Sequence, residues 1–436
     1  MTQVNLKGTV PLNFRELSPS ASNFDVIIIG AGAAGLMTAI QAAQGGLRVL
    51  LLEGQKKVGA KILMSGGTRC NVTNKAVSEK DFNSEEIICV RNILRSFNKT
   101  DTIRFFKELG VELVLEGTGK YFPSTNSGKT ILDALMRKIE SAKITLLTEH
   151  KVQALNIDKD GFILKGENFH FHARNVVLTT GGLSYPTTGS DGTGYRLAQS
   201  FGHSMIETAP ALTPLLTQDN DLKSLSGITL DVQLTLLVDG KRDFSCRDSF
   251  LFTHFGFSGP AALDISRHFL KVQGTKQIIA NFIPEYNENS FQDYLGKVRE
   301  NAPRKTIRNV LIELMPQRLA DLILKRTKID EALAMNQLDK PSRQRLIDRC
   351  VQYPLDVAGV LGYSKAEVTA GGIDLAEINP KTLGSRLIPG LFFAGEILDV
   401  DGRIGGFNFQ WAWASGFTVA QALIKQKESF NEQEDH

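Results

Sequence analysis

Six residues near the start of the chain, Gly30-Ala31-Gly32-Ala33-Ala34-Gly35, have the types and spacing with which a backbone can hold a diphosphate. Gly30 permits a tight turn, Gly32 lets the chain approach an anion, and Gly35 lets the following helix pack on the preceding strand. The free N–H groups at the start of that helix, from Ala33 and Ala34 onward, face the same anion. Glycine turns precede many helices, so the spacing carries weight only in context. The context is complete. Phe24 to Ile29 is a β-branched apolar run of strand length, and Leu36 to Gln44 has helical composition ended by Gly45-Gly46. Arg48 to Leu52 is a second apolar run, and it delivers Glu53-Gly54. The Glu53 carboxylate is placed to accept hydrogen bonds from an adenosine ribose and disfavours the extra phosphate of NADP. A dinucleotide site is therefore expected here.

The stretch after Glu53 separates NAD from FAD. A dehydrogenase that uses NAD would repeat strand and helix, whereas this chain has a glycine- and hydroxyl-rich loop from Ile62 to Asn74. With Lys61, Ser65, Gly66, Gly67, Arg69, Cys70 and Asn71 it can close backbone donors and cations around a second phosphate or a flavin ring. A plain connecting loop is the alternative. Asn175 to Gly182 forms a second buried strand ending in the small residues Thr180, Gly181 and Gly182, as needed where backbone passes close to a nucleotide. Paired strands are expected at 151–155 and 161–165, and Val152 in the first is assigned to the cofactor wall. The alternating Phe169 to Ala173 puts His170 and His172 on one solvated face, and no metal site is expected.

A third region lies near the other end. Gly390 to Glu396 is a strand ending in Ala394-Gly395-Glu396, whose carboxylate could bond ribityl hydroxyls. Gly405-Gly406 then turns into a helix expected from about Phe409, with Asn408, Phe409 and Gln410 at its start. The dipole of that helix would favour an anionic reduced flavin. Packing of a buried helix by Phe and Trp explains the same residues, and both readings can hold.

Six segments together resemble the BaiN/YhiN-type flavoproteins, a family with aminoacetone oxidase-like and ribosomal RNA dihydrouridine synthase-like (RdsA-like) members. They are Gly30 to Gly35, Lys61 to Asn74, Thr180 to Pro186, Phe252 to Pro260, Val368 to Ile373 and Gly405 to Trp413, and the likeness runs from about Phe24 to Leu423. The resemblance implies an α/β fold: a Rossmann-like, glutathione-reductase-type FAD-binding domain carrying an inserted β-barrel domain and a small helical domain. On that pattern, residues 24–205 and 366–425 form the FAD-binding domain, 206–287 and 347–365 the barrel, and 288–346 the helices, with 1–23 and 426–436 loose. Thr68 departs from the pattern, standing where the family has a third consecutive glycine, and its Cβ restricts backbone approach.

The elements agree with this division. Asp231 to Gly240 alternates and ends in a turn, and Phe291 to Leu346 has helical periodicity rich in Lys, Arg and Glu. The chain has 436 residues with 42% hydrophobic and 22% charged, enough for two or three domains with a sizeable cavity. A formal charge of +3 from 50 basic and 47 acidic residues neither demands nor excludes an anionic partner. Cys70, Cys89, Cys246 and Cys350 have no paired or metal-ligand spacing, which fits reduced thiols in a cytoplasmic protein. No apolar run approaches the roughly 18 residues of a membrane span.

Asn126-Ser127-Gly128-Lys129-Thr130 imitates a phosphate loop, but Pro123 stands where the first glycine is required. Tyr121-Phe122-Pro123 is instead expected to wall the flavin pocket. Flavin chemistry needs orientation and exclusion of water more than a nucleophile, so the missing catalytic triad is no deficit. Cys70 and His254 are the candidate proton-transfer residues, with a structural role as the alternative for each. The expected function is an FAD oxidoreductase working between an NAD(P)H reductant and an organic substrate. One version reduces uridine in ribosomal RNA, with the cationic helices from about Arg299 to Arg349 meeting phosphate. Another oxidises a small amine and releases peroxide, and a third is a flavin-binding sensor without turnover.

Overall fold

The structure, a computed structural model, describes residues 24–434. Its nucleotide-binding part is a five-stranded parallel sheet in the order Leu391–Phe393, Asn175–Leu178, Val26–Ile29, Val49–Leu52 and Thr145–Leu147. Val26–Ile29 and Val49–Leu52 are buried along their whole length, as unbroken apolar strands must be when both faces of a parallel sheet are covered. The strand from the far end of the chain thus pairs with Asn175–Leu178, which in turn pairs with Val26–Ile29.

Two helices repeat that convergence. Ala33–Gln44 crosses Phe407–Glu434, and Gly416 makes the crossing close: a Cβ there would lie 2.7 Å from the Ala34 carbonyl oxygen. The last helix runs to Glu434, so the loose end expected from 426 is helical instead. The arm expected at 1–23 lies outside the described residues.

The insertion is built on a seven-stranded antiparallel sheet in the order Tyr353–Leu355, Lys276–Asn281, Thr229–Val238, Lys241–Phe252, Gly256–Ser258, Leu215–Leu216 and Gly359–Val360. Val232, Leu234 and Leu236 point into its core and alternate with partly exposed Gln233 and Thr235. The expected barrel is not closed by pairing, since no ladder joins the two edge strands among the described residues. The sheet nonetheless curls. Its edges are consecutive in sequence, and the four steps from Leu355 to Gly359 span at most about 14 Å, whereas seven flat strands would part them by roughly 29 Å.

The expected split between barrel and helices at 288 does not divide the core. Phe291, Val310, Leu319, Ile323 and Leu346 pack in one cluster with Leu234, Phe250 and Phe257, because the helices cover a sheet face that would otherwise be wet. Two antiparallel strands, Met205–Ala211 and Val368–Ile373, carry the chain into and out of this unit side by side.

Candidate active site

A cavity of about 420 Å³ runs from the first glycine turn to the start of the last helix. At the first end the three glycines serve different purposes. Gly30 has φ +105°, and a Cβ there would lie 2.6 Å from the Thr179 carbonyl oxygen. At Gly35 a Cβ would come within 1.9 Å of the Gly30 carbonyl oxygen, so this glycine seats the helix and lies outside the cavity wall. Gly32 has nothing within 4 Å of an added Cβ and faces the cavity with Gly30, Ala33 and Ala34. No side chain caps the helix, so its first N–H groups stay available to an anion.

Glu53 is fixed from both sides: its carboxylate accepts the Ala31 N–H at 2.9 Å and the Gln55 N–H at 2.8 Å. Burial raises its pKa against those hydrogen bonds. Gly54 and Val152 continue the wall beside it.

Further along, the Ala60–Met64 helix presents Lys61, whose ammonium donates to Glu396 at 2.5 Å and to Ser184 at 2.6 Å. Ser184 and the Thr369 N–H complete the hold on the other Glu396 oxygen, at 2.7 and 2.9 Å. Both Glu396 oxygens are therefore engaged by protein groups. Ser65, Gly66, Asn71, Thr180, Gly181 and Gly395 also line the cavity. Asn71 Oδ1 and Thr180 Oγ1 are buried there without a hydrogen-bond partner, an arrangement that costs free energy unless a bound group supplies one.

At the far end Gly405 (φ +133°) and Gly406 (φ +91°) make the turn into the last helix. A Cβ on Gly406 would sit 2.7 Å from Asn71 Oδ1. Asn408 and Phe409 line the cavity, but the Asn408 amide is spent on the N–H and carbonyl of Gly402.

Six other sequence-predicted residues lie off the wall, each with a different duty. Gln410 is fully buried, accepting from Thr73 and Thr102 and donating to the Phe97 carbonyl, which ties the last helix to two distant segments. Gly182 is a packing glycine whose Cβ would meet Thr369 Oγ1 at 2.5 Å. Gly67 sits at a turn with φ +66°. Arg69 pairs with Glu116 and stacks 3.8 Å over Phe122, bracing a ring that does line the cavity. His254 is exposed at the turn between Lys241–Phe252 and Gly256–Ser258, with its ring against Phe255, and lies apart from the cavity. Cys70 is completely buried with φ +60°, and burial pushes its thiol up to about 12.

Such a thiol is neither nucleophile nor acid near neutrality. A thiol reagent added to native protein is expected to find no fast-reacting cysteine, and all four only after unfolding. One rapid thiol assigned to Cys70 would restore it as a candidate.

Thr68 holds φ +71°, strained for a β-branched residue, and its carbonyl accepts the Gly128 N–H at 2.8 Å, so its contact is structural. Gly128 opens a helix capped by Ser127, and Lys129 pairs with Asp133 on its surface, consistent with no phosphate loop. His172 meets Asp158 at 3.3 Å, and no group of three or more metal-type ligands exists among the described residues.

The structure adds Lys120, Tyr185 and Glu367 to the wall. Tyr185 stands inside the Thr180 to Pro186 segment and Glu367 one residue before Val368–Ile373, yet nothing in a linear sequence tells which way their side chains face.

A parallel nucleotide fold, an uncapped helix over a glycine turn, and orphaned polar atoms along one continuous slot fit a flavin dinucleotide, and define a flavoenzyme of the α/β class. The HI0933-like protein Rossmann domain matches residues 24–422, and the chain belongs to this family of flavin-dependent oxidoreductases. It is 34% identical over 406 residues to the ribosomal RNA dihydrouridine synthase of Escherichia coli, covering 93% of this chain and 99% of that one. It is 32% identical over 404 residues to the 3-dehydro-bile acid delta(4,6)-reductase of Clostridium scindens, covering 92% and 98%. A solved 3-ketosteroid delta1-dehydrogenase from Sterolibacterium denitrificans shares the fold at TM-score 0.50 and 12% identity, over 92% of this chain and 99% of that one. No helix among the described residues is long and apolar enough to cross a membrane.

Proposed function

We propose that the chain binds FAD along the cavity, with the diphosphate at Gly30–Gly35 and the ring beside Gly405, Gly406 and Phe409. There it reduces a carbon–carbon double bond conjugated to a carbonyl, and the proposed substrate is uridine in ribosomal RNA. The observation that carries this reading is identity of 34% across nearly the whole of a ribosomal RNA dihydrouridine synthase. The bile-acid relative, at 32%, is also named for a reduction, so the two agree on reaction type and differ on substrate.

FAD bound here and reduced would supply the two electrons, and NAD(P)H is the proposed source from which it is recharged. The protein's own groups do the rest. The N–H groups of Ala33 and Ala34 hold the diphosphate, and Glu53, already oriented by Ala31 and Gln55, takes the ribose. Lys61, ion-paired with Glu396 and bonded to Ser184, fixes this side of the ring site. Phe122, braced by Arg69, and Trp411 exclude water from it.

Four of the cations in the 299–349 stretch are already paired: Lys305 with Glu313, Arg308 with Asp321, Lys325 with Asp221 and Arg326 with Asp219. RNA phosphate would have to be met by the remaining ones. The amine-oxidase alternative has no comparable support, and membership of an oxidoreductase family sets aside a sensor without turnover.

The test compares nucleosides of ribosomal RNA from cells with and without the gene by mass spectrometry. Loss of dihydrouridine on deletion is expected; an unchanged level removes the RNA reading. Reduction of a small conjugated enone by the purified protein would then identify the substrate class.

A further inference from the structure

We propose that Glu367 is a catalytic residue, the acid that delivers a proton to the substrate carbon, with Lys120 and Tyr185 completing its site. The inference rests on the double-bond reduction proposed above and assigns the second half of that chemistry.

Four acidic residues line the cavity, and three are committed. Glu53 is held by two backbone N–H groups, Asp191 by Lys151 and the Thr193 N–H, and Glu396 by Lys61, Ser184 and the Thr369 N–H. Glu367 differs: among the described residues no group hydrogen-bonds its carboxyl. Its backbone is nevertheless anchored, the N–H donating to the Leu212 carbonyl at 3.1 Å and the carbonyl accepting from Ser184 at 3.4 Å. A rigidly mounted carboxyl with no protein partner, facing a cavity, is what a proton donor to a bound molecule requires.

Its surroundings suit that task. Burial raises its pKa and so favours the protonated form, while Lys120 and Lys61 oppose this and would stabilise the carboxylate left behind. Glu367 in turn adds to the burial that raises the Tyr185 phenol. Tyr185 itself is held at φ +51°, an uncommon conformation for a bulky residue, and lines the same cavity. Beyond Lys120 lies Asp264, which shares its charge.

The balance is simple. One alkene carbon would gain a hydride, with its two electrons, from the N–H bond of a bound reduced flavin that is oxidised in the transfer, and the other gains the proton as the Glu367 O–H bond breaks. The π bond is lost and two C–H bonds form. Solvent entering by the cavity mouth reprotonates the carboxylate.

Glu367→Gln keeps the side chain's size and removes the acid. Two measurements on purified holoenzyme, with FAD content checked first, decide the matter. The first follows the absorption spectrum of bound FAD against pH. The wild type is expected to show a transition that Glu367→Gln lacks and Glu367→Asp retains, and an identical titration in the Gln variant overturns the proposal. The second follows dihydrouridine formation on ribosomal RNA from cells lacking the gene, where Glu367→Gln should be at least about 100-fold slower. Undiminished activity in that variant also overturns it. If the wild type forms no dihydrouridine, the substrate reading fails, and the spectral titration alone settles where Glu367 acts.

Discussion

Gly32→Ala should give a folded protein that has lost its flavin, and Gly35→Ala a protein that folds poorly. An added Cβ at position 32 meets nothing within 4 Å, so native packing is undisturbed. That methyl group projects into the slot where a diphosphate would run against the helix N-terminus, and an obstructed backbone approach weakens the hydrogen bonds that hold it. FAD affinity is expected to fall at least tenfold, the equivalent of about 1.4 kcal/mol, while the melting temperature of the flavin-free protein stays put. At position 35 the Cβ would lie 1.9 Å from the Gly30 carbonyl oxygen and 2.7 Å from Thr179 Oγ1. Backbone cannot yield as a side-chain tip can, so the helix must lift off the strand, costing roughly 1–3 kcal/mol. Flavin titration and thermal melts of the two flavin-free variants separate the effects. Equal melting temperatures would overturn the packing role of Gly35, and undiminished affinity in Gly32→Ala would remove the diphosphate from this turn.

The strand–turn–helix unit was legible because its determinants are local: the apolar run Val26–Ile29, the glycine spacing and Glu53 all lie within one short stretch. The convergence of the chain ends was also legible, through Gly395, Gly405 and Gly406, since close backbone approach demands glycine wherever it occurs. What escaped the sequence depends on long-range pairing. The motif places Gln410 among the cofactor ligands, but its amide is consumed by Thr73, Thr102 and Phe97, more than 300 residues away. Cys70 and His254 stand in motif loops and carry chemistry suited to proton transfer, yet one is buried, the other exposed, and neither lines the cavity. Glu367 carried no signal because its distinction is negative, an absence of partners that appears only when every neighbour is in place. The insertion was legible as strands and helices, not as one core, since helix periodicity does not say which sheet a helix covers.

The insertion meets the turn before the last helix at Asp264. Asp264 is largely buried there and accepts the Ile404 N–H at 2.7 Å, one residue before the Gly405-Gly406 turn. Burial pushes its carboxyl up from 3.8 to about 6, with Asp248 adding to the rise and Ile404, Arg403 and Lys120 opposing it. Proton linkage sets the sign. Below about pH 4 the carboxyl is protonated in both folded and unfolded chains, and the folded state has the full benefit. Between about pH 4 and 6 the unfolded chain ionises while the folded one resists, and that benefit is lost, a change of roughly 3 kcal/mol. Asp264→Asn stays neutral and retains an oxygen for the Ile404 N–H. It should therefore flatten stability against pH in this window and exceed the wild type at pH 8 by up to roughly 3 kcal/mol. Some slope will remain, because burial pushes Asp399 up to about 6 as well. Urea unfolding of both proteins at a series of pH values makes the comparison. If the variant follows the wild-type curve, Asp264 is solvated in solution, and the Ile404 backbone that leads into the Gly405-Gly406 turn has another support.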